Sequence, residues 1–377
     1  MLTMPDPCAP PAAHAQQLTS VALDSRPSLP SLADAYCRYF PIGAAVDAES
    51  LSELGDLLTA QVSSVVPVHD MSWERIHPRP GSEPLSYDFS RADCVAAFAS
   101  RRGMKLRGHT LVWHRQTPEW VFESPGVPAT RPQVIRRMED HISTVLAHFR
   151  DTVYCWDVVN QALSDGAGAW RTDSPWQRIA GADQDGDGVP DYITRAFAAA
   201  RAGDPRARLF YSDDAIEDGS RRELVTAMVR ALKVQGLIDG VGIQGHWSVT
   251  APDPETVRQG IRHFASLGVE VQVTEMELSV YRRAVTPAMR GPTPRLLERQ
   301  AARYAALFRV FREEARAGRL TGVTFAGISD GTARCDGTHA QDPTPDPARD
   351  QGRPDWPLLF DEHRRPKKAF WSIVKWQ

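Results

Sequence analysis

Two neighbouring carboxamides, Asn160 and Gln161, follow an apolar stretch that is typical of a buried strand. Trp156, Val158 and Val159 precede them, so the two amides fall where the chain is expected to reach the surface. Amide side chains donate and accept hydrogen bonds, but they carry no proton that titrates near neutral pH. The stretch therefore predicts a ligand-binding site. It leaves open whether a catalytic site has lost its acid here or never had one.

Polar and aromatic residues also end the other apolar runs of the chain. They are His69, Asp70, His109, Trp113, His114, Asp213, Asp214, Gln244, His246, Glu275, Glu277 and Asp330. A single histidine or glutamine at such a position is more often a structural group, so the prediction rests on several run ends agreeing. Hydroxyl-binding groups beside bulky aromatic rings suit a ligand with many hydroxyls and flat apolar faces, which indicates a sugar.

The elements that position these residues alternate regularly along the sequence. Segments with helical spacing separate eight β-rich runs, and the clearest helix follows Thr130, which is a suitable N-cap. The β-rich runs are 40–46, 62–68, 104–110, 153–159, 208–212, 241–245, 270–275 and 321–326. Eight strands alternating with helices predict an α/β fold, a single (β/α)8 TIM barrel over residues 31–377. We expect residues 1–30 to form a poorly ordered N-terminal extension.

Composition narrows the classes of partner. The net charge of −3, with 24% charged residues, gives no electrostatic footprint for nucleic acid, and no apolar run is long enough to span a membrane. The N-terminus lacks the basic start and apolar core of a secretory signal, which favours a cytoplasmic location, or a secreted one if a signal has been removed from this chain. The five cysteines show no CxxC pair, so we expect mostly buried thiols. We also expect a monomer that binds a carbohydrate or another β-glycoside, without nucleic acid or membrane.

Four ordered motifs resemble those of glycoside hydrolase family 10, the retaining β-1,4-xylanases. The motifs are "GHTLVWH" (108–114), "WDVVN" (156–160), "VTEME" (273–277) and "PLLFDE" (357–362). The resemblance extends from about Ser31 to Ile373. It implies a TIM barrel with a general acid/base at the end of the fourth strand and a nucleophile at the end of the seventh.

The resemblance also implies roles for individual residues. Glu275 matches the nucleophile, His246 the histidine that hydrogen-bonds it, and Asn160 the residue that holds the sugar 2-hydroxyl. Glu277 lies where the family usually has an Asp that supports this histidine. The residues that fall on substrate-side positions are His69, Ser72, Trp73, His109, Trp113, Gln116, Asp213 and Gln244.

The acid/base position departs from the family pattern, because Gln161 stands where the family has Glu. A retaining glycosidase needs a carboxylic acid there, first to protonate the leaving oxygen and then to deprotonate water. General acid–base catalysis contributes about 10²–10⁴-fold, so we expect this chain to be a poor hydrolase. Gln161 is either an inactivating substitution in an active enzyme or a natural loss.

Further departures affect the sugar-binding positions. Val68, His69 and Ser72 stand where the family has the Glu, Asn and Lys that hold sugars on the non-reducing side, and Ala326 replaces a Trp. The sequence thus favours a retaining β-glycosidase with altered sugar specificity. The alternative is a non-hydrolytic carbohydrate-binding protein, or a biosynthetic enzyme that reuses the pocket.

One acidic loop lies outside these motifs. Asp183, Asp185 and Asp187 alternate and Gly188 follows, a spacing that resembles the start of a calcium-binding loop. The twelfth position is Thr194 rather than Glu, so an EF-hand is not supported. We expect no cofactor for the reaction. The loop is either a structural Ca²⁺ site or an acidic turn that caps the following helix.

Overall fold

The structure, a computed structural model, describes residues 29–80, 86–124, 126–165, 168–217, 219–281, 291–331 and 355–375. Of the predicted N-terminal extension, only residues 29 and 30 lie within this part of the chain, so its predicted disorder stays a prediction.

Eight parallel strands close into a barrel. They are β1 (Ile42–Val46), β2 (Ser64–Pro67), β3 (Lys105–Trp113), β4 (Val153–Asn160), β5 (Arg208–Asp213), β6 (Gly240–Ile243), β7 (Glu270–Ser279) and β8 (Gly322–Phe325). Each strand pairs with the next along the chain, and β8 pairs with β1 to complete the circle. The predicted TIM barrel is confirmed, and all eight predicted runs match these strands to within a few residues.

Helices surround the barrel. They are α1 (Leu32–Tyr36), α2 (Leu51–Gln61), α3 (Trp73–Ile76), α4 (Ser90–Arg101), α5 (Arg131–His148), α6 (Pro175–Ala180), α7 (Asp191–Gly203), α8 (Gly219–Val234), α9 (Pro254–Ser266), α10 (Pro294–Arg316) and α11 (Lys368–Val374). Three short pieces complete the described elements: a turn of 3₁₀ helix at Glu119–Val121, a hairpin of Glu123–Ser124 with Val127–Pro128, and a strand at His246–Ser248.

Helix α5 illustrates how the sequence builds this outer layer. Thr130 forms a capping box with Gln133, whose side-chain oxygen accepts from the Thr130 N–H at 2.8 Å. Val134, Met138 and Val145 recur at helical spacing and are fully buried. Burial of each aliphatic side chain contributes about 1.5–3 kcal/mol, so the apolar stripe fixes which face of the helix covers the barrel.

Close packing between β3 and β4 positions the strand ends on which the site stands. Gly108 lies opposite Trp156 in the register of the two strands. A β-carbon at position 108 would come within 2.1 Å of the Trp156 ring, so only glycine allows the indole to pack there. The glycine of the "GHTLVWH" motif is thus required for the packing of β3 against β4.

The described cysteines only partly match the expectation of buried thiols. Cys155 is a buried free thiol, Cys37 is free but exposed, and Cys94 is disulfide-bonded, which corrects that expectation. Within the described ranges, no helix combines the length and apolar character needed to cross a bilayer.

Candidate active site

The predicted nucleophile, Glu275, lies in β7 at the end of the barrel where the strands finish. Its carboxylate is largely buried. One oxygen, Oε2, lies 3.1 Å from His246 Nε2, and the other, Oε1, has no hydrogen-bond partner within the described residues. An ionised oxygen that no donor holds is available to attack an electrophilic carbon.

His246 connects Glu275 to a second carboxylate. Its Nδ1 lies 2.8 Å from Glu277 Oε1, so each ring nitrogen faces a carboxylate oxygen. The contact follows from the backbone, because the strand His246–Ser248 lies parallel to the end of β7 with His246 opposite Glu277. An ionised carboxylate only accepts hydrogen bonds, so His246 donates from both nitrogens, as an imidazolium, when both carboxylates are ionised.

Neighbouring histidines keep Glu275 ionised. Burial raises the pKa of the Glu275 carboxyl, but the hydrogen bond from His246 and the charges of His109 and His246 outweigh it, so the pKa lies below its ordinary value. Burial likewise lowers the pKa of His109, yet its hydrogen bond to Asp157 at 3.0 Å and the charge of Glu275 bring the pKa above its ordinary value. This side of the site therefore holds charge at neutral pH.

Neutral side chains form the other side of the site. Gln161 Oε1 accepts from the Trp113 indole Nε1 at 2.9 Å, and Gln161 Nε2 donates to Gln244 Oε1 at 3.0 Å. Gln244 Nε2 in turn donates to Asn160 Oδ1 at 2.9 Å. Four residues from three strand ends are thus joined by three hydrogen bonds, and none of the four ionises near neutral pH.

The backbone of Gln161 is in the left-handed region, with φ of 53°. A non-glycine residue there costs of order 1–3 kcal/mol and persists only when its surroundings hold it. The N–H of Gln161 donates to Ser212 O at 2.9 Å, and its carbonyl accepts from Arg171 Nε at 3.3 Å. The turn at the end of β4 is therefore fixed, and the Gln161 side chain projects from a defined point.

Gln244 links the two sides. Its side chain accepts from Gln161, while its backbone carbonyl accepts from the Glu275 N–H at 2.7 Å. Gly245 follows in the left-handed region, with φ of 82°, and turns the chain so that His246 reaches Glu275 and Glu277. The positions predicted for nucleophile and acid/base therefore belong to one connected site.

Comparison with known protein families identifies the family of the chain. The model of glycosyl hydrolase family 10 matches residues 31–376. The chain belongs to this family. Its members are glycoside hydrolases, and the retaining β-glycosidase class predicted from the sequence fits the family.

Family 10 relatives resemble the chain over nearly their full length. A beta-1,4-xylanase of Dictyoglomus thermophilum is 42% identical over 349 residues, covering 92% of this chain and 91% of the relative. Endo-1,4-beta-xylanase B of Paenibacillus barcinonensis is 38% identical, covering 92% of this chain and 98% of the relative. The crystal structure of xylanase XynB from Paenibacillus barcinonensis, complexed with a conduramine derivative, superposes with a TM-score of 0.83 at 38% identity, over 93% of this chain and 99% of that one.

The structure places the predicted substrate-side residues in two groups. Trp113 and Gln244 bond the Asn160–Gln161 pair, and His109 lies near Glu275. On the side of β2, the Gln116 amide Nε2 lies 2.8 Å from His69 Nδ1. These residues surround the strand ends as the family 10 resemblance implies, and their contacts with a sugar stay predictions.

Three of the predicted substrate-side residues are buried, and their contact with a sugar stays a prediction, as it does for Asn160 and Gln244, which are equally buried. Trp73 is 1% exposed and stacks on the His141 ring of α5 at a centroid distance of 3.9 Å. Ser72 is 2% exposed. Asp213 is fully buried, and its oxygens accept from Tyr211, Arg221 and the backbone N–H groups of 163 and 214. The sequence shows that these residues follow strands, but not that their side chains are buried.

Sequence reasoning missed the ion pair below the site. Arg107 and Asp157 face each other inside the barrel, and each is 1% exposed. Arg107 Nε donates to Asp157 Oδ2 at 2.9 Å, and Arg107 Nη1 donates to Gln272 Oε1 at 2.9 Å. Burial raises the pKa of Asp157, but Arg107 and His109 lower it to about 2. The available signal was two charged residues within apolar strand sequences.

The acidic loop lies between α6 and α7. Asp183, Asp185 and Asp187 are exposed and place carboxylate oxygens within 4.8 Å of one another. Each also accepts from backbone N–H groups of the loop: Asp183 Oδ1 accepts from Gly186 at 2.8 Å, for example. These bonds are those of an acidic turn before α7, and calcium binding stays a prediction.

Proposed function

We propose that the chain is a family 10 retaining β-glycosidase in which formation of the glycosyl-enzyme is intact and acid/base assistance is lost. The observation that carries the proposal is the contrast between Glu275 and Gln161. Glu275 has a lowered pKa and an Oε1 with no hydrogen-bond partner in the described part of the chain, whereas Gln161 has a carboxamide at the position matched to the acid/base.

The two chemical steps place different demands on these residues. In the first, Glu275 Oε1 forms a bond to the anomeric carbon while the bond to the aglycone oxygen breaks, and the electron pair leaves with that oxygen. Gln161 supplies no proton, so the aglycone must leave as a stable anion. In the second step, water attacks the same carbon while the bond to Glu275 Oε1 breaks and its electron pair returns to the carboxylate. The water must lose a proton, which a carboxamide does not accept.

The sugar specificity is proposed to differ from that of a linear xylan hydrolase. Val68, His69 and Ser72 replace the family's Glu, Asn and Lys, and Ser72 is buried. Each missing hydrogen bond to a sugar hydroxyl costs about 1–3 kcal/mol when the partner is left unpaired. Titration calorimetry with xylotetraose is expected to show weak binding, and micromolar affinity would contradict this part of the proposal.

The central experiment uses dinitrophenyl β-xylosides and β-glucosides, whose leaving group departs without a proton. We expect a burst of dinitrophenolate, followed by an accumulated adduct that mass spectrometry locates on Glu275. Azide attacks without deprotonation, so it should release the adduct as a β-glycosyl azide with retained configuration.

The matched control is Glu275→Gln, which keeps the shape of the nucleophile and removes its charge. It should abolish both the adduct and the azide product. If no donor sugar labels Glu275 in the unaltered chain, the hydrolase proposal is wrong. The pocket is then a carbohydrate-binding or biosynthetic site on a hydrolase barrel.

A further inference from the structure

Three side-chain amides form a continuous row at the ends of β4 and β6. We call Asn160, Gln244 and Gln161 the amide relay. Each amide has an oxygen that accepts and a nitrogen that donates, so the row can run in either of two directions. The direction decides whether its last member, Asn160, presents an N–H or a C=O at its free end.

Trp113 fixes the direction. The indole Nε1 only donates, so the atom of Gln161 that faces it at 2.9 Å must be Oε1. Gln161 Nε2 is then directed at Gln244 and donates to its Oε1, and Gln244 Nε2 donates to Asn160 Oδ1. Asn160 Nδ2 is left as the free end, with no acceptor among the described residues.

A carboxylate at position 161 would reverse the row. Both of its oxygens accept, so it would take hydrogen bonds from the Trp113 indole and from Gln244 Nε2. Gln244 Oε1 would then face Asn160 and accept from Nδ2, which leaves Asn160 Oδ1 as the free end. The side chain at 161 thus determines whether Asn160 donates or accepts, although the two free ends have nearly the same shape.

We propose that Gln161 is a specificity-determining residue that acts through the amide relay. It directs the Asn160 N–H toward the sugar 2-position, so the site favours a 2-substituent that accepts a hydrogen bond. This rests on the proposed function, since the match of Asn160 to the 2-hydroxyl comes from the family resemblance. A 2-hydroxyl can pair with Asn160 in either direction of the relay, because it both donates and accepts. Fluorine, an ether oxygen or an acetamido carbonyl only accepts, so it pairs only when Asn160 donates.

The direction of the relay is tested without any sugar. Neutron diffraction from crystals of the perdeuterated protein locates the deuterium atoms of each side-chain amide. We expect the Gln244 atom facing position 161 to carry no deuterium in the unaltered chain. In Gln161→Glu at pH 8, where the new carboxylate is ionised, the Gln244 atom that faces position 161 should carry two deuterium atoms. The same direction in both proteins would overturn the relay, whatever the outcome of the adduct experiment.

The consequence for specificity is tested with two methyl β-glycosides, the 2-deoxy-2-fluoro and the 2-deoxy compound. Both are made in the sugar series that labels Glu275, or in the xylo series if none does. The pair isolates acceptance at the 2-position, because fluorine accepts weakly and hydrogen does not. In the unaltered chain the fluoro compound should bind about two- to tenfold more tightly, the range of one neutral hydrogen bond.

Two variants serve as matched controls for the binding ratio. Gln161→Glu reverses the relay, and Asn160→Asp places an acceptor at the free end without changing position 161. Both should lose the preference for the fluoro compound or invert it. A preference that is equal in all three proteins, or absent from the unaltered chain, would overturn the proposed specificity even if the relay direction is as expected.

Discussion

The two sides of the cleft differ in charge although they lie at the same end of the barrel. On one side, Glu275, His246 and Glu277 are ionisable and joined to one another at 2.8–3.1 Å. On the other, the amide relay and Trp113 are joined at 2.9–3.0 Å and are neutral throughout. Hydrogen-bond lengths are alike on both sides, and only one side can move a proton.

This difference separates two properties that a retaining active site normally combines. Shape and hydrogen-bond reach survive the presence of Gln161, because a carboxamide replaces a carboxyl atom for atom. Under the proposed function, proton transfer at position 161 does not survive, because it requires a group whose pKa lies near the working pH. A site can therefore keep its substrate geometry while half of its chemistry is absent.

The largest expected effect comes from restoring the charge on the neutral side. Gln161→Glu should raise turnover of unactivated β-glycosides by about 10²–10⁴-fold, the usual contribution of general acid–base catalysis. Steady-state rates with oligosaccharide substrates measure it. Gln116→Glu is the control, because it adds the same charge on the side of β2, where Gln116 contacts His69. Equal gains in both variants, or none in the first, would contradict the assignment of position 161.

The second prediction concerns the buried ion pair beneath the charged side. Asp157→Asn removes the carboxylate that neutralises Arg107, and breaking such a pair costs about 3–5 kcal/mol. We expect a loss of that size in the free energy of unfolding, measured in urea at pH 7. Asp151→Asn is the control, because Asp151 pairs with Arg206 and both side chains are at least 65% exposed, so the loss should be below about 1 kcal/mol.

The lowered pKa of Asp157 also predicts how the stability of the fold changes with pH. The pKa of Asp157 is lowered from 3.8 to about 2, so its ionised form is favoured in the folded state. Its contribution to stability is complete above the ordinary value and is lost as the pH falls through about 2. The unaltered chain should therefore lose this stability on acidification, and Asp157→Asn should not. Equal pH dependence in the two proteins would contradict this account.

The fold was predictable because its signal is repeated along the chain. Eight apolar runs alternate with helical segments. Because this alternation repeats eight times, errors of a few residues at strand ends do not change the predicted topology. Thr130 is a local example, since N-cap chemistry depends on residues only three positions apart.

The site was predictable only as a set of strand ends. The sequence shows that Trp73 and Asp213 follow strands, but their burial depends on α5 and on Arg221, which are remote in the chain or belong to another element. The direction of the amide relay depends on contacts between residues 48 to 84 positions apart. No local pattern encodes such contacts, so they had to come from the structure.

The smallest expected effect concerns Glu277 on the charged side. Glu277→Gln removes the second carboxylate that favours the imidazolium form of His246. A neutral His246 either donates to Glu275 without a positive charge or presents a lone pair to it, and in both cases the pKa of Glu275 rises. Adduct formation requires ionised Glu275, so its rate falls as the pH drops through that pKa. The acidic fall-off should therefore move to higher pH in Glu277→Gln, while the rate well above it changes little.

Burst rates with a dinitrophenyl glycoside between pH 3 and 7 measure this shift of the fall-off. Glu277→Asp is the matched control, because it keeps the charge and restores the residue usual in the family, and its fall-off should stay in place. A fall-off that is unchanged in Glu277→Gln would show that Glu277 only orients the ring of His246.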